Sequence, residues 1–119
     1  MPKTKIIVAS SFAREYRKLC KRYRSLPGDL ARFRPVLELK PDTGRSLGGG
    51  FYKIRLAIKS KHKGKSGGAR IITSYLSKDN LLYLLTIYDK SDQESISDEA
   101  IDALMRMALL ENSSGMESL

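Results

Sequence analysis

The chain has 119 residues, 41% of them hydrophobic, and its 22 lysines and arginines outnumber 13 acids for a formal net charge of +9. That length holds one domain around one core, and that apolar content excludes a disordered basic tail. A single cysteine, Cys20, excludes an internal disulfide, and no apolar run approaches the roughly 20 residues of a membrane helix, so a soluble, cytoplasmic protein without a membrane partner is expected.

Residues 5–9, "KIIVA", read as a short buried strand, followed by Ser10 and Ser11 as candidate caps of a helix reaching about residue 24. Phe12, Tyr16, Leu19 and Tyr23 form its apolar stripe, and Arg14, Arg17, Lys18, Lys21 and Arg22 occupy the rest, so the helix packs on one side and is basic on the other. "SLPGDL" breaks the chain before a second helix with Leu30, Phe33 and Leu37 inward. Pro35 removes one helical hydrogen bond and predicts a kink, or two short turns, between Phe33 and Leu37. Three strands follow the glycine run at 48–50: "FYKIRLAIK" at 51–59, "ARIITSYL" at 69–76 and "LLYLLTIY" at 81–88, the last two joined by the turn "SKDN". A final helix spans residues 97–110, with Asp98 and Glu99 at its positive end and Ile101, Leu104, Met105, Ala108 and Leu109 on one face. The domain covers residues 1–111, and the polar residues 112–119 are expected to fray.

The charge is concentrated: residues 1–90 carry 21 basic and 6 acidic side chains, residues 91–119 only 1 and 7. A basic body attracts nucleic acid first, though an acidic protein or an anionic lipid would answer the same field. Strand periodicity sharpens this, because in "FYKIRLAIK" Tyr52, Ile54, Leu56 and Ile58 point one way, and Lys53, Arg55 and Lys59 point the other with Ala57 leaving room between cations. The following segment, "KSKHKGKSGGAR", adds Lys61, Lys63 and Lys65 without one acid; its glycines permit close approach to a phosphate backbone, and Arg70 offers a two-pronged phosphate grip. These loop lysines are expected to attract RNA nonspecifically. His62 stands alone, which excludes a two-histidine mechanism within the chain, and the scattered acids show no metal-ligand spacing. Phosphodiester cleavage here would fall to lysine, arginine and tyrosine.

In order and spacing, "FAREYRKLCKRY", "LGGGFYKIRLAIKSKHKGKSGGARIIT" and "LLYLLTIYDKSDQESISDEAI" resemble the RelE/ParE superfamily of type II toxin–antitoxin toxins, nearest its RelE- and HigB-like branch. The resemblance implies an α+β fold: a small curved antiparallel sheet packed against an N-terminal helical hairpin, with a C-terminal helix. It implies an mRNA interferase, an endoribonuclease acting on messenger RNA in the 70S ribosome without metal or other cofactor, through attack of the 2′-hydroxyl on the adjacent phosphate. By position, Lys53 and Arg55 match the paired basic residues of the strand, Arg70 the arginine on the scissile phosphate, and Lys90 a basic residue near the leaving group. The tyrosine expected beyond Lys90 falls on Ile96; Tyr75 and Tyr88 are the candidates to replace it, each weighed more toward a core or rim role. A cognate antitoxin in a hetero-oligomeric complex is implied, meeting the basic face with acids or displacing the final helix. Two rival functions use the same surface: a gyrase-directed toxin without nuclease activity, and a noncatalytic RNA- or ribosome-binding protein.

Overall fold

In the computed structural model, residues 2–62, 64 and 67–113 are described. The elements run β1 (Lys5–Val8), α1 (Ser10–Arg22), α2 (Leu26–Leu39), β2 (Arg45–Gly48), β3 (Phe51–Leu56), one 3₁₀ turn (Lys59–Lys61), β4 (Ala69–Leu76), β5 (Leu81–Asp89) and α3 (Asp98–Ser113). One five-stranded sheet has the order β1-β5-β4-β3-β2. The fold is α+β, as the resemblance implies. Antiparallel pairing joins β2 through β5, but β1 lies parallel to β5, with Lys5 opposite Leu81 and Val8 opposite Leu84, so the sheet is mixed. A parallel pair needs a long crossover, and here the connection is most of the chain.

Each face of the sheet has its own core. Against one face the hairpin of α1 and α2 buries Phe12, Leu19, Leu26 and Leu37 on Ile54, Leu56, Ile71 and Leu84. Against the other, α3 buries Ile101, Met105 and Ala108 on Ile72, Tyr83 and Leu85. β5 is therefore covered on both sides, which explains its almost unbroken apolar run. Its period of two is interrupted once: Ile72 pairs with Thr86 and Thr73 with Leu84, so Leu85 bulges. The bulge returns Ile87 to the same core as Leu82 and Leu84, and the Ser11 hydroxyl donates to the Leu85 carbonyl at 2.5 Å.

Several local expectations are revised. The break between α1 and α2 falls at residues 23–25, so of "SLPGDL" only Ser25 lies in it; the rest does not interrupt a helix but opens α2, with Pro27 in the first turn, where its missing N–H costs nothing. Neither does Pro35 divide α2, which runs as one helix with Leu26 and Leu37 fully buried on either side of it. The cap of α1 is supplied from a distance: Ala9 takes the N-cap position, and Glu111 of α3 accepts hydrogen bonds from the Ser10 amide at 3.1 Å and from the Ser10 hydroxyl. α3 extends through Asn112, expected to fray, whose amide donates to the Tyr83 hydroxyl at 3.0 Å; residues 114–119 lie outside the described residues. β3 ends at Leu56 rather than residue 59, and β2 arises where only a glycine-rich connection was read.

Gly68 lies where β4 starts back against the end of β3. A Cβ there would sit 2.1 Å from the Leu56 carbonyl oxygen, with backbone rather than a yielding side chain as the obstacle. Gly68→Ala should destabilise the fold by about 3 kcal/mol. Thermal unfolding should show a Tm lower by about 10 °C, and an unchanged Tm would mean that the two strands do not meet this closely.

Candidate active site

On β3 the alternation read from sequence holds at its centre: Ile54 and Leu56 are buried in the core, whereas Lys53 is half-buried and Arg55 exposed. The ladder then sets Arg55 opposite Arg70 of β4 and Lys53 opposite Arg45 of β2. Lys90 follows the last residue of β5, and its amide donates to the Gly68 carbonyl at 3.0 Å. The five cations line a cleft of about 360 Å³ whose rim includes Thr43, Gly44 and Glu94. Four of them, Lys53, Arg55, Arg70 and Lys90, are the expected site residues. Arg45 is the addition. Its sequence signal was the triple glycine, which turns the chain so tightly that a residue before it must pair with "FYK" after it.

Like charges on facing strand positions repel, and the ammonium of Lys53 bears the result. Burial lowers its pKa below the ordinary lysine value, and Arg45, Arg70, Lys90 and Arg55 push it down further. Arg70 is only 4% exposed, and its guanidinium donates to the Ala69 carbonyl at 3.2 Å. The one acid lining the cleft among the described residues is Glu94, which lies 3.6 Å from Lys90 and is 91% exposed. A cationic, partly desolvated cleft with a lysine whose proton is loosened is suited to hold a phosphodiester and take a proton beside it.

The family model described as the RelE toxin of the RelE/RelB toxin–antitoxin system matches residues 5–118. The chain belongs to the RelE toxin family. Among solved structures, free E. coli RelE carrying two arginine substitutions aligns over 93% of this chain and 98% of its own, with a TM-score of 0.56 at 15% identity. A crystal structure of isolated E. coli RelE aligns over 87% and 97%, with a TM-score of 0.47 at 16% identity. The first likeness shows a shared fold.

In this RelE-family toxin the loop lysines part company. Lys59 is exposed, with its amide bonded to the buried Asp29 carboxylate at 3.1 Å. Lys61 is turned inward: its side chain is 10% exposed and its ammonium is paired with Asp89, so its charge is spent inside the protein. Lys63 and Lys65 lie outside the described residues. His62 is exposed and adopts φ 59°. Neither Tyr75 nor Tyr88 lines the cleft. The Tyr75 hydroxyl meets Asn80 at 3.0 Å in the β4–β5 turn. Tyr88 pairs with Arg70 across the ladder; its buried hydroxyl has no hydrogen-bond partner among the described residues, and burial raises its pKa despite the nearby arginine. Ile96 packs beside the core under α3. Among the described residues no group of three His, Cys, Asp or Glu could hold a metal ion, and no helix is long and apolar enough to cross a membrane.

Asp89, missed as a site residue, anchors the corner from which Lys90 projects. Its fully buried carboxylate accepts from Arg22 at 3.0 Å, the Tyr23 hydroxyl at 2.5 Å, the Ser91 amide at 2.9 Å and Lys61. Burial alone would raise the Asp89 pKa, but the bonds from Lys61, Tyr23 and Ser91 win and hold it far below the usual carboxylate range. Asp89→Asn leaves Lys61 buried and unpaired and should cost about 3 kcal/mol in urea unfolding. With a depressed folded pKa, the stabilisation is complete above the unfolded value of about 4 and fades as pH falls toward the folded one. The deficit of the variant should thus be equal at pH 8 and pH 5 and shrink in more acidic solution; a deficit that grows on acidification would contradict the network.

Proposed function

We propose that this toxin is an endoribonuclease that cuts messenger RNA in the 70S ribosome, without metal, and thereby stops translation. The observation that carries this reading is the position of Lys53, half-buried among four further cations, its proton loosened first by burial and then by them. The scissile phosphate lies between Arg55 and Arg70, whose guanidinium forks neutralise its two free oxygens. Unprotonated Lys53 takes the proton of the 2′-hydroxyl, the 2′-oxygen forms a bond to phosphorus, and the bond from phosphorus to the 5′-oxygen breaks. The Lys90 ammonium returns a proton to that departing oxygen, leaving a 2′,3′-cyclic phosphate and a 5′-hydroxyl. No tyrosine is needed for this balance, which fits Ile96 in place of one. Arg45 keeps the proton of Lys53 loose and meets the RNA strand at the cleft wall.

The cytoplasmic partner is a cognate antitoxin, acidic where it covers the cleft, in a toxin–antitoxin hetero-oligomer. α3 is a second point of control. Its outer face exposes Met107, Leu110 and also Leu109, which was expected on the packed face with Ile101 and Met105, and the Glu111 and Asn112 bonds tie its end to the body, so an antitoxin segment that replaces α3 would also uncap α1.

Induction of the wild type in growing bacteria should produce new 5′ ends on messenger RNA within minutes, phased with codons, and Arg70→Ala should reduce them by about 10²-fold or more. Growth arrest without new ends from either protein would move the function to gyrase or to noncatalytic binding. In single-turnover cleavage, Arg45→Ala removes a positive neighbour and raises the Lys53 pKa, so the rising limb of the pH–rate profile should move to higher pH. A limb that stays in place would show that Lys53 is not the base.

A further inference from the structure

The cleft has an aromatic wall that the phosphate chemistry does not use. Among the described residues lining it, Phe33 of α2 is the one aromatic, set with Ile54 and Gly44 against a row of cations. Leu26, Leu30, Phe33 and Leu37 recur at spacings of four, three and four, and this stripe packs on the hairpin-side core. Leu26 and Leu37 are fully buried, yet Phe33 between them stays half-buried. The edge of the sheet explains the difference. Pairing of β2 with β3 stops at Arg45 opposite Lys53, so no strand covers the outer edge of residues 54–56, and the ring reaches the cleft past that edge. Gly44 keeps the same wall free of a side chain, since a Cβ there would meet the Lys53 carbonyl oxygen at 2.6 Å and the Ile54 side chain at 3.0 Å.

The order of strands says which part of the substrate this wall meets. Across the sheet the cations run from Lys90 after β5, through Arg70 on β4 and Arg55 on β3, to the edge that carries Lys53 and Arg45. Phe33 therefore shares the side of the cleft where the 2′-hydroxyl gives up its proton and lies across from Lys90, which serves the departing 5′-oxygen. The nucleoside that owns the 2′-hydroxyl is the one on the 5′ side of the cut, so its base is brought to this wall. A flat apolar ring has nothing to offer a phosphate but stacks well on a nucleobase of any identity. It also comes from α2 rather than from the segment after Lys90, where Ile96 packs under α3. We infer that Phe33 is the stacking platform for the base on the 5′ side of the scissile phosphate, fixing the sugar whose 2′-oxygen attacks. This rests on the RNA-cleaving reading of the cleft.

The test uses a dinucleotide of deoxyadenosine, whose single phosphodiester cannot be cleaved and fixes the register. It is compared with forms lacking the base on the 5′ side or on the 3′ side. Binding to the wild type, Phe33→Leu and Phe33→Tyr is followed by NMR titration. Loss of the 5′ base should weaken binding about tenfold for the wild type and Phe33→Tyr, and less than twofold for Phe33→Leu. Phe33→Trp supplies the only tryptophan of the chain, and its emission should be quenched by the intact dinucleotide and by the form lacking the 3′ base, but not by the form lacking the 5′ base. This readout stands by itself if Phe33→Leu does not fold. An equal loss in the wild type and Phe33→Leu, a coupling to the 3′ base instead, or a tryptophan that ignores the 5′ base would overturn the inference; binding that Arg70→Ala abolishes would leave the cleft reading intact in each case. Binding that Arg70→Ala leaves unchanged, or no binding by the wild type, would overturn the cleft reading and this inference with it.

Discussion

Arg45 opposite Lys53, and Arg55 opposite Arg70, put like charges on facing positions of adjacent strands, an arrangement that opposes folding at each pair. What holds them there is the apolar content of the same strands. Ile54, Ile71 and Ile72 are essentially inaccessible to water, so the ladder that brings the cations together is fixed by the burial of their neighbours on two cores. Sliding β3 by one residue would part the charges but turn Ile54 and Leu56 to solvent. The repulsion is thereby retained in the folded state, and in the proposed reaction an arriving phosphate relieves it.

The chain distributes its few body acids accordingly. Asp89 and Asp29, both buried, serve the root of the β3–β4 connection: Asp29 holds the Lys59 amide and pairs with Arg32 at 2.7 Å, while Asp89 neutralises Lys61 and Arg22. Neither is spent on the cleft. Lys90 follows Asp89 directly, so one residue consolidates the corner and the next is left to present its charge. Which cations are neutralised inside the protein and which stay open to the surface depends on where the buried carboxylates sit, since Lys59 and Lys61 of the same loop meet opposite fates.

Periodicity and punctuation made much of this legible. The alternation in "FYKIRLAIK" placed Lys53 and Arg55 on one side, and the amphipathic stripe of α1 was read with its basic face. Arg70 was singled out as a phosphate fork beside the cationic strand before the resemblance gave it a role, whereas Lys90, without a local signature, was assigned through the resemblance alone. What escaped was nonlocal. β2 is four exposed residues whose strand character depends on pairing with β3, so Arg45 gave no periodic signal. The cap of α1 by Glu111 joins residues 101 apart in sequence. The inward turn of Lys61 follows from an acid 28 residues away, invisible in a run that reads as uniformly solvated. Pro27 was read with the break although it occupies a first turn, and the alternative of two short turns at Pro35 fails because α2 runs through it as one helix, with buried leucines on both sides.

The central claim is that burial and the crowding of cations loosen the proton of Lys53 and that a phosphodiester restores it. Its most direct test is an NMR titration of the Lys53 side chain in the free protein and with a 2′-deoxy oligonucleotide that cannot be cleaved. The account predicts a pKa below the ordinary lysine value in the free protein and a rise when the oligonucleotide binds, as the phosphate supplies the missing negative charge. A Lys53 that titrates like an exposed lysine, with or without the oligonucleotide, would contradict it.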